Sequence, residues 1–306
     1  MLSVSVVVVS YNTREKLHRC LSCIESEHEI IVVDNGSIDG STEMVRTEFP
    51  DVKLIEAGAT LGFGRANNRG VELATRDLVL FLNSDCYAEI GSIRKLAKVF
   101  DDLNVSGAGG RLMNLDGSLQ DSTANRMTLL AVLWEQTFLE RLWPIYWTTK
   151  KLYAEADAMW EEALLGASSH SEDAEPSDEF AGDFSVIVPT HQVMGACLMC
   201  RRTSFPAFDE RFFLYMEDTK LCDDLNELGE VVWHYHAPFI HELGASSAGE
   251  WWRGVARYNA GKELYFEITR GEGAARICRM LNKFGALLRM VVKPRRARGF
   301  WRIFRA

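Results

Sequence analysis

Four nearly unbroken runs of Val, Ile and Leu fall within the first 85 residues, each separated from the next by a helical pattern. They are "SVVVVS" (Ser5–Ser10), "EIIVVD" (Glu29–Asp34), "VKLIEA" (Val52–Ala57) and "DLVLFLNSD" (Asp77–Asp85). Between the first two, Leu17, Leu21 and Ile24 recur at helical spacing, with Asn12 and Glu15 placed as a capping box. A second helix is expected from about Ser41, and "GFGRANNRGVELA" reads as a turn opening a third. Strands that are apolar on both faces need cover on both faces. That requirement predicts an α/β fold, a Rossmann-like, mostly parallel central sheet with helices on either side. Such sheets bind ligands beyond the carboxyl ends of their strands. Ser10-Tyr11-Asn12, Asp34-Asn35 and Asn83-Ser84-Asp85 all fall there and are expected to line one crevice.

Several function classes drop out. The seven cysteines are scattered, which suits a reducing compartment better than a disulfide framework. Cys20 and Cys23 have CxxC spacing but lie in a helix; Cys197 and Cys200 lie in a strand, where positions three apart face opposite ways. Gly62-Phe63-Gly64 precedes a helix, yet Asn67 stands where a dinucleotide motif needs its last glycine. The chain enters a strand at once with no basic leader, and no apolar segment approaches the roughly 20 residues of a membrane span. A cytoplasmic location is expected.

Charge is uneven. The net charge is −9, but residues 276–306 carry ten Lys/Arg and no Asp/Glu, which leaves −19 on the remainder. A basic tail on an acidic body suggests a segment that seeks anions. It reads either as a helix packed on the body or as an amphipathic element on an anionic membrane at the inner face. The acidic body argues against nucleic acid.

The chain divides into 1–120, a nucleotide-binding half; 121–190, a variable helical region with an acidic, Ser-rich loop at about 166–183; 191–250, a catalytic half of the same domain; and 251–306, a helical basic extension. Leu129–Trp160 reads as an acceptor wall, a membrane element or a contact in a homo-oligomer.

The polar residues carry competing readings. Asp85 either starts a turn or ligates a hard divalent cation, Mg²⁺ or Mn²⁺, with Asn83 and Ser84 beside it. Asp34 and Asn35 either form an Asx turn with Gly36 or hydrogen-bond a nucleotide. Glu217 and Asp218, opening a helix in "FFLYMEDTKLCDDLNELG", either complement its dipole or provide a general base. His241 ends a strand, with His234 and His236 nearby.

Taken in order, "VVVVSYNTREKLHRCLSCI", "IIVVDNGSIDGS", "LGFGRANNRGVELA", "LVLFLNSD", "GACLMCRR" and "FDERFFLYMEDTKLCDDLNELG" resemble the family 2 glycosyltransferases, especially rhamnosyltransferase-like members. The resemblance implies a GT-A fold and inverting transfer from a nucleotide-diphosphate sugar, dTDP-rhamnose or a UDP-sugar, to a glycan or lipid-linked acceptor in cell-surface polysaccharide synthesis. By that likeness Asp85 and His241 hold the metal and Asp218 is the base, with Glu217 beside it. Ser10, Tyr11, Asn12, Asp34, Asn35, Arg65, Asn67 and Ser84 border the nucleotide; Gly195 and Ala196 border the donor sugar. Ser84 stands where the family has proline, Asn83 where it has an acid, and Lys220 where a further acid is common. A cation at Lys220 is expected to lower the pKa of Asp218. The rival readings are a silent nucleotide-sugar-binding protein and a nucleotidyltransferase.

Overall fold

The computed structural model describes residues 2–168, 185–242 and 250–306. The expected acidic loop therefore lies almost wholly outside the described residues, and its first three positions are the end of a helix. In chain order the elements are β1 (Val4–Ser10), α1 (Arg14–Ser22), β2 (Glu29–Asp34), α2 (Ser41–Glu48), β3 (Lys53–Glu56), α3 (Phe63–Leu73), β4 (Leu78–Asn83), β5 (Cys86–Ala88), α4 (Ser92–Lys98), β6 (Val105–Met113), β7 (Thr123–Ala124), α5 (Leu129–Gln136), α6 (Thr149–Ser168), β8 (Ile187–Pro189), β9 (Gln192–Val193), β10 (Cys197–Arg201), α7 (Glu217–Asn226), β11 (Glu230–His241), α8 (Trp251–Arg270), α9 (Glu272–Val292) and α10 (Ala297–Arg305).

The main sheet runs β3-β2-β1-β4-β10-β6-β11-β5, with β8 also on β11. β1 to β4 are mutually parallel, and β10 enters antiparallel between β4 and β6. The order of connection across the sheet reverses at β1, whose neighbours β2 and β4 lie on opposite sides of it, which opens a crevice beyond their carboxyl ends. Side chains alternate across the pleat. Val6, Val8, Leu80, Leu82, Cys197 and Met199 face one core; Val7, Val79, Phe81, Leu198 and Cys200 face the other. Burying such side chains contributes about 1.5–3 kcal/mol each, so continuous apolar strands are stable only between two helix layers. The CxxC pair Cys197/Cys200 is thereby split between opposite faces.

The first helix departs from expectation. Thr13, not Asn12, precedes it, and the Asn12 side chain accepts from the Ile38 amide at 2.8 Å. That long-range bond holds Asn12 at φ +52° and replaces the capping box. α5, α8 and α9 form a helical cap with its own core, including Val132, Tyr146, Met216, Tyr265, Phe266 and Cys278.

Candidate active site

Strand register sets the first wall. Ser10 lies opposite Asp34, and Val9 opposite Asn83, so three strand ends stand side by side. At the other end of the sheet His241 pairs with Cys86, which places it next to Asp85. Asp85, His241, Asn83, Gly195, Ala196, Glu217 and Asp218 line one cavity of about 380 Å³.

The His241 ring is oriented from behind. The Gln120 amide donates to Asn114 Oδ1 at 2.9 Å and to the His241 carbonyl at 3.2 Å. Its oxygen therefore faces His241 Nδ1, 2.6 Å away, and accepts that proton. Nε2 is left with its lone pair 3.3 Å from Asp85 Oδ1. Two acceptors facing each other repel, and a cation between them relieves the repulsion. One imidazole and one carboxylate fit Mn²⁺ or Mg²⁺ with remaining positions for water or phosphate oxygen; the Asn83 amide nitrogen, 3.3 Å from Nε2, faces that atom as a hydrogen-bond donor and not as a ligand. Among the described residues, Glu25, Glu27 and His28 form a denser grouping, but the Arg94 guanidinium already neutralises Glu27 at 2.8 Å.

Glu217 and Asp218 open α7 because Tyr215 and Met216 before them both take φ +74°. Two consecutive left-handed residues without glycine cost roughly 1–2 kcal/mol each, strain typical of sites held for function. The half-buried Asp218 carboxylate accepts from the Gly195 amide at 2.9 Å and the Thr219 amide at 2.8 Å. A Cβ at Gly195 would stand 3.0 Å from Asp218 Cβ, so only glycine allows this approach freely. Burial pushes Asp218 above the usual carboxylate range, partly offset by those two amides. Glu217 is nearly sealed from solvent; burial and then the neighbouring Asp218 charge push it up, and its Oε2 has no partner among the described residues.

Lys220 corrects the sequence reading. Its ammonium reaches one turn along α7 to Asp224 at 2.5 Å, and Asp218 is raised, not lowered. The i,i+4 spacing of Lys220 and Asp224 was the overlooked signal.

The nucleotide-side residues divide. Asp34 does two things: Oδ2 accepts from the Gly36 and Ser37 amides at 3.0 and 2.8 Å, whereas buried Oδ1 has no partner among the described residues. Asn35 has both ends of its amide taken by Leu61 N–H and the Gly62 carbonyl. Ser10, Thr13 and Ser84 form a chain of hydroxyls joining β1 to β4. Tyr11 is half exposed, and Arg65 pairs with Glu210 at the surface. Asn67 is buried and donates to the Phe63 carbonyl. None of these eight lines the 380 Å³ cavity, which receives Phe63 instead. Gly62, at φ +92°, lets that loop lie against Phe213, whose carbonyl accepts from the Phe63 amide at 3.0 Å.

The second wall was not foreseen residue by residue. Tyr146 and Trp147 come from the loop before α6, Tyr215 from the turn before α7, and Tyr258 from α8. Tyr146 donates to Gln192, which donates to Thr219 beside Asp218. Only the aromatic richness of Leu129–Trp160 hinted at this wall; nothing marked Tyr258 or Gln120.

Comparison with known proteins agrees with this architecture. The family model described as Glycosyl transferase family 2 matches residues 5–156. An N-acetylglucosaminyl-diphospho-decaprenol L-rhamnosyltransferase of Mycobacterium tuberculosis is 32% identical over 244 residues, 73% of this chain and 70% of that one. Among solved structures, a mannosyltransferase from Pyrobaculum calidifontis in complex with GDP-Man and Mn²⁺ matches at TM-score 0.53 and 15% identity, covering 99% of this chain and 85% of that one. S. aureus TarS matches at TM-score 0.50 and 15% identity over 93% of this chain, which spans only 43% of the TarS chain. The fold is that of the GT-A glycosyltransferases.

Proposed function

We propose, for a chain that belongs to glycosyltransferase family 2, that this crevice moves a sugar from a nucleotide-diphosphate donor to a hydroxyl of a lipid-linked glycan, inverting the anomeric centre, in cell-surface polysaccharide synthesis. dTDP-rhamnose is the favoured donor and a UDP-sugar the runner-up, since the Mycobacterium relative is named for rhamnosyl transfer to a diphospho-decaprenol acceptor. One observation carries the reading: the Asp218 carboxylate and the Asp85/His241 pair line the same cavity.

Asp218 is oriented by two backbone amides and retains lone pairs for a hydroxyl. It takes the acceptor proton as that oxygen bonds to the anomeric carbon and the bond to the diphosphate breaks on the opposite face. A raised pKa suits the task, because a stronger base accepts a hydroxyl proton more readily. Gly195 and Ala196 border the donor sugar. The buried Asp34 Oδ1 has no partner among the described residues and would take a ribose or base donor group, and the hydroxyls of Ser10 and Ser84 lie along the same strand ends. A divalent cation, Mn²⁺ or Mg²⁺, held by Asp85 and His241 Nε2, would offset the charge of the departing diphosphate.

Transfer from a labelled nucleotide-sugar panel to a GlcNAc-diphospho-prenol tests this. Asp218→Asn is expected to lose about 10²–10⁴-fold in turnover while keeping donor-induced thermal stabilisation. Gln120→Ala is expected to weaken Mn²⁺ binding about 10–100-fold in a thermal-shift titration. Full turnover in Asp218→Asn removes the base assignment; unchanged Mn²⁺ affinity in Asp85→Ala removes the metal assignment.

A further inference from the structure

α9 has three distinct faces. Ala275, Cys278, Asn282, Gly285 and Ala286 are buried in the cap. On the opposite side Ile277, Met280, Phe284, Leu287 and Val291 are exposed, from 42% to 80%. At about 100° per residue they project within an arc of roughly 80°. Arg276, Arg279 and Lys283 run along one flank of this stripe, Arg276 paired with Glu272 at 2.6 Å and Arg279 with Glu263 at 2.8 Å. α10 extends it: the Lys283 ammonium lies 5.6 Å from the centre of the Phe304 ring, and Phe304 stacks at 5.5 Å on Trp301, itself 48% exposed. Lys293, Arg295, Arg296 and Arg298 follow, all exposed.

A globular protein seldom leaves so continuous an apolar stripe in water without a use for it. We propose that the outward face of α9, with Trp301, docks on an anionic bilayer: the apolar side chains enter the acyl boundary and the flanking cations meet lipid phosphates. Charge selects this occupant. Residues 276–306 hold ten Lys/Arg and no acid; even with Arg276 and Arg279 paired to glutamates and Arg289 turned into the cap, a second copy packed on the same stripe would bring like charges together. An anionic bilayer offers the opposite charge and an apolar interior together. Among the described residues no helix is long and apolar enough to cross a membrane, so the contact is peripheral. α8 packs directly on α9 and supplies Tyr258 to the crevice, so docking sets the site one helix layer from the lipid. The proposal is independent of the donor, metal and base assignments.

Co-sedimentation of the full chain with phosphatidylcholine vesicles, with and without phosphatidylglycerol, at low and high salt, tests it. Pelleting is expected with anionic vesicles, weakened by salt and by omitting phosphatidylglycerol. Met280→Glu/Phe284→Glu and Arg295→Glu/Arg298→Glu are each expected to lower partitioning at least about tenfold. All four side chains are exposed, so thermal melts and transfer to a water-soluble acceptor should match the parent. Absence of pelleting, or pelleting unchanged by Met280→Glu/Phe284→Glu, overturns the proposal. So does a dimer in sedimentation velocity that this double variant dissociates, because the stripe is then a subunit interface.

Discussion

The two walls of the crevice are built differently. On the sheet side, Asn83 and His241 are placed by strand register, and backbone ladders fix their spacing whatever the side chains do. On the cap side, Tyr146, Trp147, Tyr215 and Tyr258 arrive from two loops and a helix, held by packing and by single bonds such as Tyr146 to Gln192. The sheet wall presents carboxylate, amide and imidazole, suited to a diphosphate and its cation. The cap wall presents aromatic rings, suited to the apolar face of a sugar. The contrast between a register-fixed wall and a packed aromatic one can be tested by mutation.

The largest expected effect is at the seam. Gly62→Ala meets both a positive φ and the Phe213 carbonyl, backbone that cannot step aside. A loss of about 2–4 kcal/mol in denaturant stability is expected, along with weaker donor binding. A variant as stable as the parent would mean that the sheet wall is less rigid than its register implies. Trp147→Ala comes next. Acceptor KM should rise about tenfold, about 1.4 kcal/mol, with donor affinity unmoved. If donor affinity falls equally, the two walls do not divide the substrates.

The smallest effect concerns Glu217, buried beside Asp218. Its folded-state pKa lies above its unfolded value, so the native protein binds its proton more tightly than the unfolded chain. Stability is therefore greatest below the ordinary glutamate pKa and declines as pH rises through the raised one. Glu217→Gln removes the ionisation and should flatten that decline, leaving the variant more stable by about 1 kcal/mol at the alkaline end and little changed in acid. Parallel melting-temperature profiles would show that Glu217 ionises freely and that the pair is not strained.

Legibility followed the same line as the two walls. Every strand from β1 to β4 was visible as an apolar run, but of the polar residues at their ends only Asn83 and Asp85 line the cavity. Asp34 took the Asx turn its sequence offered, and its other oxygen is unpartnered among the described residues. Asn35 and Asn12 were harder, since their amides serve loops distant in sequence. Lys220 was misjudged from its neighbour in sequence, although its partner one helical turn away was in plain view. Gln120 and Tyr258 had no periodicity, cap or charge pattern to mark them.

The sequence by itself determined which polar groups terminate apolar strands and which residues open α7, because burial and local backbone preference act within a few residues. Tertiary structure alone decided that His241 faces Asp85, that Gln120 sets its tautomer, and that the tail turns one face inward and leaves another apolar face in water. Those outcomes depend on pairing between segments far apart along the chain, where geometry, not residue type, chooses the partner.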